Sequence, residues 1–529
     1  MQTPNSNASG ILADRIRSLL ADRGLSLADV ARRSRSGDRY GPLHHIPHNL
    51  YDAVRRRQFS PSAYQIEALS LLSGYRFVDW LQLFGFSLDS VLRFQVLFPA
   101  LRTVELDTSV YHSRAEIPAF CDLAPGAFDA PLTPLSRWLG PTGFLHADTT
   151  PGHVDPAFRF VKIGSQDAFA FPDLLPGSIV RVNPALKGQG TDSDRKPRDG
   201  DFCLVEHGRG YVCSRTFPPD EKRILLCSKH LPYSCAELEL GTQAKLVGTA
   251  DMEFRRIVNS ENPVVPKSLG GDWKPTALPA ILPPGNVGEF LRRARRRSGL
   301  SFREASKRTQ VIASALEDQR YFCAPGSLSD CETRKTTSRH IHKLISICAV
   351  FSASVRGCLE AAGVSLAVPG QTAMPARLLG ADASVRDFPG SVAQSQFLTE
   401  LERRIEGLPY FLFGSMPDFF QMPDLSLRDI FWAGGAERFI QPYLKGAIVL
   451  ILDRRKKIPR SSLACPKWAQ PLYVFLRRDG RYLCGSCVHT NGVLVIHPCT
   501  TGLPSVLRLR NRTDAEVVGQ IVGVIRRLR

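Results

Sequence analysis

GLSLADVARRS, from Gly24 to Ser34, returns later in the chain as GLSFREASKRT, from Gly299 to Thr309. Two more stretches repeat outward from it. PGSIVRVN (Pro176 to Asn183) comes back as KGAIVLIL (Lys445 to Leu452), and KLVGTADMEFRRI (Lys245 to Ile257) as EVVGQIVGVIRRL (Glu516 to Leu528). The offsets are nearly constant: 299 − 24 = 275, 446 − 177 = 269 and 519 − 248 = 271. Three anchors in one order at nearly one spacing predict a tandem duplication. Each half then holds a helical module followed by a β module, an α+β multidomain chain.

The texture on either side of the repeats supports this division. In ILADRIRSLLADRG, Ile11, Leu12, Ile16, Leu19 and Leu20 fall at helical spacing, and Gly24 stops the run. Ser26 is placed to cap the next helix, with Asp29 as its capping-box partner. A polar insert, Arg35 to His45, precedes IPHNLYDAVRRRQF, a short basic helix, and YQIEALSLLSGY and FVDWLQLFGF read as two more. From Phe158 the pattern turns to short β runs: SIVRV, FCLVEH, YVCSRTF, RILLC and KLVGTA. After a proline-rich stretch, helices resume with VGEFLRRARRRSG, SFREASKRT, IASALEDQRYF and HIHKLISICAVF. AIVLILD, LYVFLRR, RYLCGSCV, GVLVIHP and EVVGQIVGVIRRL are the closing strands. The expected segments are a helical domain 1–106, a locally packed connector 107–152, a β domain 153–258 and a linker 259–284. The second copy follows as a helical domain 285–366, a connector 367–425 and a β domain 426–529.

Bulk composition narrows the function classes. The 529 residues carry a formal charge of +18, which favours a polyanionic partner, most simply nucleic acid. The N-terminus MQTPNSNASG lacks a secretory pattern, and no apolar run approaches the ~18–20 residues of a membrane span. The 13 cysteines are odd in number and scattered, which fits reduced thiols in a cytoplasm and no membrane partner. No P-loop, no dinucleotide fingerprint and no H-E-x-x-H motif occurs.

The order of helix, Gly-Leu-Ser, helix, turn and helix resembles the lambda-repressor-like, xenobiotic-response-type helix-turn-helix family. The copies RIRSLLADRGLSLADVA and FLRRARRRSGLSFREAS carry the likeness, with small Ala31 and Ser306 at the helix crossing. The resemblance implies double-stranded DNA as partner. In the first copy IPHNLYDAVRRRQFSPS matches the recognition-helix stretch: Ile46, Leu50 and Val54 face inward, while His48, Asn49, Asp52, Arg55 and Arg56 face outward. Asn suits adenine, and Arg suits guanine or phosphate. In the second copy IASALEDQRYFCAPGS is expected to follow Gln310 after a short turn; its Leu-Glu-Asp centre resembles RodZ-type domains, some of which bind protein. GSLSDCE (Gly326 to Glu332) receives no chemistry. The implied contact residues are Ser26, His48, Asn49, Asp52, Arg55, Arg56 and Arg57 in the first copy. In the second they are Arg292, Arg293, Arg296, Ser301, Arg303, Gln310 and Ser314. RRARRR (Arg292 to Arg297) reads either as a solvated helix face or as a phosphate contact.

The β modules resemble the C-terminal domain of LexA and phage repressors, a self-cleaving serine-lysine peptidase family. Pro172 and Gly177 in DAFAFPDLLPGSIV, the turn Asp199-Gly200-Asp201, and the closing strand LVGTADMEF carry that likeness. The family's nucleophile falls on Phe169 and Arg438, and its lysine near Ser214 and Gly485. A Ser-Lys dyad needs a hydroxyl and a neutral amine in reach, so no self-cleavage is expected. Spacing does not support Ser165 with Lys222 as a displaced dyad. What remains implied is a scaffold for pairing or sensing, with possible self-association through the β domains.

Two clusters tempt a metal reading. Cys484 and Cys487, with His489, His497 and Cys499 nearby, match no structural-zinc spacing, and strand positions three apart point to opposite faces. His44, His45 and His48 read as a polar turn entering the basic helix. No cofactor is expected. The sequence therefore predicts a DNA-binding regulator whose β modules pair across an internal pseudo-twofold. A protein-interaction or ligand-sensing scaffold is the alternative.

Overall fold

The computed structural model describes residues 6–36, 41–56, 59–86, 89–107, 132–134, 158–184, 199–220, 222–228, 235–257, 286–333, 340–364, 372–375, 419–422, 425, 429–432, 444, 446–458, 470–497 and 506–528. The chain divides into two compact units. One draws on Met1–Phe98, Asp107–Ser113 and Ala280–Pro389, the other on Pro99–Leu106, Arg114–Pro279 and Gly390–Arg529. The first is helical and the second is built on antiparallel strands, so the chain is mixed α+β. The helical stretches of both halves thus share one unit, and the strands of both halves share the other.

In the helical unit the described helices are α1 (Ser6–Ala21), α2 (Leu27–Ser36), α3 (Leu50–Arg55), α4 (Ala63–Ser73), α5 (Phe77–Leu83), α6 (Asp89–Leu97), α7 (Val287–Ser298), α8 (Phe302–Ala315), α9 (Pro325–Thr333), α10 (Ile341–Phe351) and α11 (Val355–Ala361). Gly24 and Gly299 end the helices before them in the left-handed region, at φ 65° and 71°, where glycine carries no Cβ penalty. α4 and α10 are both 11 residues long, α5 and α11 both 7. They start at a common offset, 341 − 63 = 278 and 355 − 77 = 278. The cap residues Ser62 and His340 bridge each other directly at the same offset, 340 − 62 = 278. The Ile341 N–H donates to the Pro61 carbonyl at 3.1 Å across this bridge.

The chain after each set of helices reaches to the other set. The Asp107 carboxylate accepts from the Val355 N–H at 2.6 Å, opening α11. Reciprocally, the Asp79 carboxylate in α5 accepts from the Met374 N–H at 2.8 Å, and Thr372 bridges Tyr75.

One expectation fails here. α8 runs unbroken through Gln310, so there is no turn between Gln310 and IASAL. That stretch contains no glycine or proline, and buried Ile312 and Ala313 continue the buried stripe of Ala305 and Thr309. The chain turns only at Glu317, at φ 52°.

In the β unit the strands are β1 (Val104–Glu105), β2 (Thr133–Pro134), β3 (Arg159–Lys162), β4 (Ile179–Asn183), β5 (Phe202–His207), β6 (Gly210–Phe217), β7 (Arg223–Cys227), β8 (Cys235–Glu239), β9 (Ala244–Arg256), β10 (Ile430–Trp432), β11 (Ala447–Asp453), β12 (Leu472–Arg477), β13 (Tyr482–Thr490), β14 (Val493–His497), β15 (Leu507–Arg510) and β16 (Ala515–Arg527). The main path runs β15-β14-β13-β12-β16-β9-β5-β6-β7-β8. β9 takes β4, β5 and β16; β16 takes β11, β12 and β9. The irregularities recur as well. Register shifts at Arg181/Val182 and Leu204/Val205 return at Ile451/Leu452 and Val474/Phe475, with 451 − 181 = 270 and 474 − 204 = 270. At these bends the long strands carry Gly248 and Gly519, which lie against the Asn183 and Asp453 carbonyls.

β9 and β16 pair with Phe254 opposite Ile525, flanked by Arg255 with Val524 and Glu253 with Arg526. The central pair is separated by 525 − 254 = 271, the spacing of the sequence repeat. Like positions therefore meet at the middle of the junction. Glu253, fully buried, sits between Arg255 (3.1 Å) and Arg526 (2.5 Å), whose side chains are 2% and 6% exposed. Burial alone would push the Glu253 carboxyl up; the two guanidiniums and their hydrogen bonds overcome this and hold it below its usual range. Both arginines also donate to the Asp173 carbonyl.

The first connector does not pack only locally. Thr133 and Pro134 pair with Trp432 and Phe431, and Leu132 joins the core of Phe431, Leu450, Val474 and Val524. β10 is a short strand with an edge to fill, and this segment fills it.

Candidate nucleic-acid interface

The first candidate surface grows from α1, α2 and α3. Ser26 opens α2 with a capping box: its hydroxyl accepts from the Asp29 N–H at 3.1 Å and donates to the Asp29 carboxylate at 2.5 Å. That hydrogen bond is the main reason the Asp29 carboxyl lies below its usual range. The insert is tied down at both histidines. The His44 Nδ1 accepts from the Gly41 N–H at 3.1 Å, so its Nε2 carries the proton and meets Glu67 at 3.1 Å. Arg35 contacts His45 at 3.0 Å, and burial first, then Arg35, pushes the His45 pKa down. The Ser34 hydroxyl accepts from the Ile46 N–H at 3.0 Å. The insert, which makes the turn between α2 and α3, is thus anchored to α2 and to α4.

α3 divides into two faces. Ile46, Leu50 and Val54 are buried, while His48, Asn49, Asp52, Arg55 and Arg56 are exposed. Asn49 is the N-cap residue but makes no side-chain cap bond, so the cap does not occupy its amide. α3 is fixed to α1 by Arg55 with Asp14 at 3.1 Å and by Arg17 over the Tyr51 ring at 4.9 Å. Arg57 lies outside the described residues.

The second candidate surface is more heavily paired. Arg292 and Arg293 hold Glu289 at 2.7 and 3.2 Å, and Arg295 grips buried Glu332 of α9 at 2.6 Å. Of the run Arg292 to Arg297, Arg296 is the exposed one. The Ser301 hydroxyl is used in a capping box with Glu304. Arg303 and Ser314 are exposed; Gln310, half-buried, reaches Ser314 at 3.5 Å along one helix.

The helix whose start lies at the first offset from that of α3 is α9, with 325 − 50 = 275. Sequence reasoning passed over it as GSLSDCE. The signal was Pro325 at its first position, where a missing N–H costs nothing. From Pro325 to Thr333 it carries Asp330 and Glu332 and no lysine or arginine. The two candidate reading helices therefore differ in charge.

The remaining constellations are placed as follows. Cys484 and Cys487 are buried in two different cores on opposite faces of β13. Among the described residues no three His, Cys, Asp or Glu side chains form a metal-binding group, and no helix is long and apolar enough to cross a membrane. Phe169 is buried among Cys203, Val205 and Val212, and the buried Ser214 hydroxyl donates to the Arg215 carbonyl at 2.9 Å. Lys222 is exposed, Gly485 lies within β13, and Arg438 and Cys499 lie outside the described residues.

No protein-family model, no curated protein and no solved structure matches this chain.

Proposed function

We propose that this chain is a sequence-specific double-stranded DNA-binding regulator of the cytoplasm, built as an intramolecular pseudo-dimer that does not cleave itself. The observation that carries the reading is α3: three buried anchors on one side, and His48, Asn49, Asp52, Arg55 and Arg56 exposed on the other. The donors among these suit base edges and phosphates in a major groove, and the Asp52 carboxylate can accept from a cytosine amine. The net charge of +18 suits the same partner.

In this reading each half is a helix-turn-helix module joined to a LexA-like β module, and the β9–β16 junction replaces the dimer interface of single-copy relatives. The acidic α9 makes the two modules unequal. The first reads bases; the second adds phosphate contacts through Arg296 and Arg303, or engages protein. The DNA site is then asymmetric.

Duplex binding measured by fluorescence anisotropy across a salt series tests this. Binding should weaken steeply with salt, and Arg55→Ala with Arg56→Ala should reduce the log–log slope by roughly 2, about 0.9 for each phosphate left without its arginine. Salt-independent binding, or an unchanged slope in the double variant, counts against it.

A further inference from the structure

β8 and β15 end the main path of the sheet, and among the described residues each pairs on one side alone, with β7 and β14. They are matching positions of the two halves, with 508 − 237 = 271 and 510 − 239 = 271. Their exposed residues are opposite in charge. β8 presents Glu237 and Glu239; β15 presents Arg508 and Arg510. Between the charges, Leu238 and Leu509 turn to the other face. Leu238 is buried in the core with Val205 and Ile224, and Leu509 packs against the core of Phe475 and Leu494.

We propose that β8 of one molecule pairs antiparallel with β15 of a second copy, extending the sheet from molecule to molecule. With Leu238 opposite Leu509, Glu237 faces Arg510 and Glu239 faces Arg508, both pairs on one face. The leucines on the other face bring together the core on which β8 rests and the core on which β15 rests. The register copies the β9–β16 junction, where like positions also meet at the centre.

Charges on an edge strand ordinarily protect it from pairing. Charges of one sign on both edges would block every pairing. Opposite signs block only like with like: two β8 strands set Glu237 against Glu239, and two β15 strands set Arg508 against Arg510. Pairing of β8 with β15 is the one combination left favourable. Local partners reduce the charges but leave their signs: Arg223, which meets Glu237, is shared with Asp220 at 2.6 Å, and beside the two arginines of β15 the Asp514 carboxylate accepts from the Arg510 N–H at 2.8 Å. Glu237 meets Arg223 of β7 at 2.5 Å, and Glu239 accepts from the Thr242 hydroxyl at 2.8 Å. In register, Arg508 and Arg510 lie beside Val495 and Val493, which carry no charge. The contact is heterologous, so it propagates unless a ring closes.

Sedimentation of the full chain, freed of nucleic acid and kept in reductant so that exposed Cys235 cannot cross-link, tests the proposal. At low salt and ~100 μM the weight-average mass should exceed the 58.5 kDa monomer by about half or more, and fall back at ~0.5 M salt. E237R/E239R carries two basic edges and R508E/R510E two acidic ones; each alone should stay monomeric. An equimolar mixture should associate again. A wild-type chain monomeric at low salt overturns the proposal. So do variants that associate like wild type, or a mixture of folded variants (by circular dichroism) that stays monomeric.

Discussion

Replacing Glu253 with alanine puts the junction between β9 and β16 under its hardest test. Glu253 is fully buried and Arg255 and Arg526 nearly so, which leaves two guanidiniums without their carboxylate in a dry strand pair. Removing one partner of such a buried pair costs about 3–5 kcal/mol, against about 0–1 for an exposed pair. The Asp173 carbonyl still accepts from both arginines, so the lower end, about 3 kcal/mol, is expected. That corresponds to a rise of more than a hundredfold in local opening. Hydrogen exchange of the β9 and β16 amides reads this directly, because those amides close the seam. Glu253→Val with Arg255→Leu and Arg526→Leu should recover the loss, since apolar groups of similar volume replace buried ion clusters without penalty. If Glu253→Ala changes protection by less than about 1 kcal/mol, the seam is wet or open and β9 and β16 do not join one continuous sheet.

Other outcomes follow from burial. Burial pushes the His342 imidazole down to about 3 from 6.5, so its neutral form is favoured by folding, and the helical unit loses stability as pH falls from about 6.5 toward 3, at up to about 1.4 kcal/mol per pH unit. Burial pushes Asp167 the other way, to about 6 from 3.8, so the β unit gains from its protonation as pH falls from about 6 toward 3.8. Acid should therefore release helical-unit amides first, and His342→Leu should flatten that slope; an equal slope in the variant refutes the assignment. A Cβ on Gly248 would lie 2.3 Å from the Asn183 carbonyl oxygen, whereas on Gly519 the Asp453 oxygen is 3.1 Å away. Gly248→Ala should cost more than about 2 kcal/mol in thermal or urea unfolding, and Gly519→Ala clearly less; equal costs would contradict the geometry.

What could be read from the residues was what carries a period. SIVRV, FCLVEH and AIVLILD show runs of apolar, β-branched residues, and all are strands. Ile16, Leu19 and Leu20 set the apolar face of α1, and Leu50 and Val54 that of α3; all are buried. The edges were harder. CAELE and LRLR offer two or three hydrophobic side chains each, too few to mark a strand before its neighbour is known. α9 was hidden because PGSLSDCET has weak helix propensity and is held by tertiary bonds, above all Glu332 to Arg295. The break expected after Gln310 is absent because buried Ile312 and Ala313 keep the helix going. The exchange of connectors, Asp107 with Val355 and Thr133 with Trp432, depends on long-range pairing that no local pattern encodes.

We propose asymmetric reading of duplex DNA by a chain that carries its own partner. Selection of bound duplexes from a random pool, run at two salt concentrations, tests it most directly. One enriched, non-palindromic motif is expected, lost in Arg55→Ala with Arg56→Ala. No enrichment at either salt, or enrichment of a perfect inverted repeat, would contradict it.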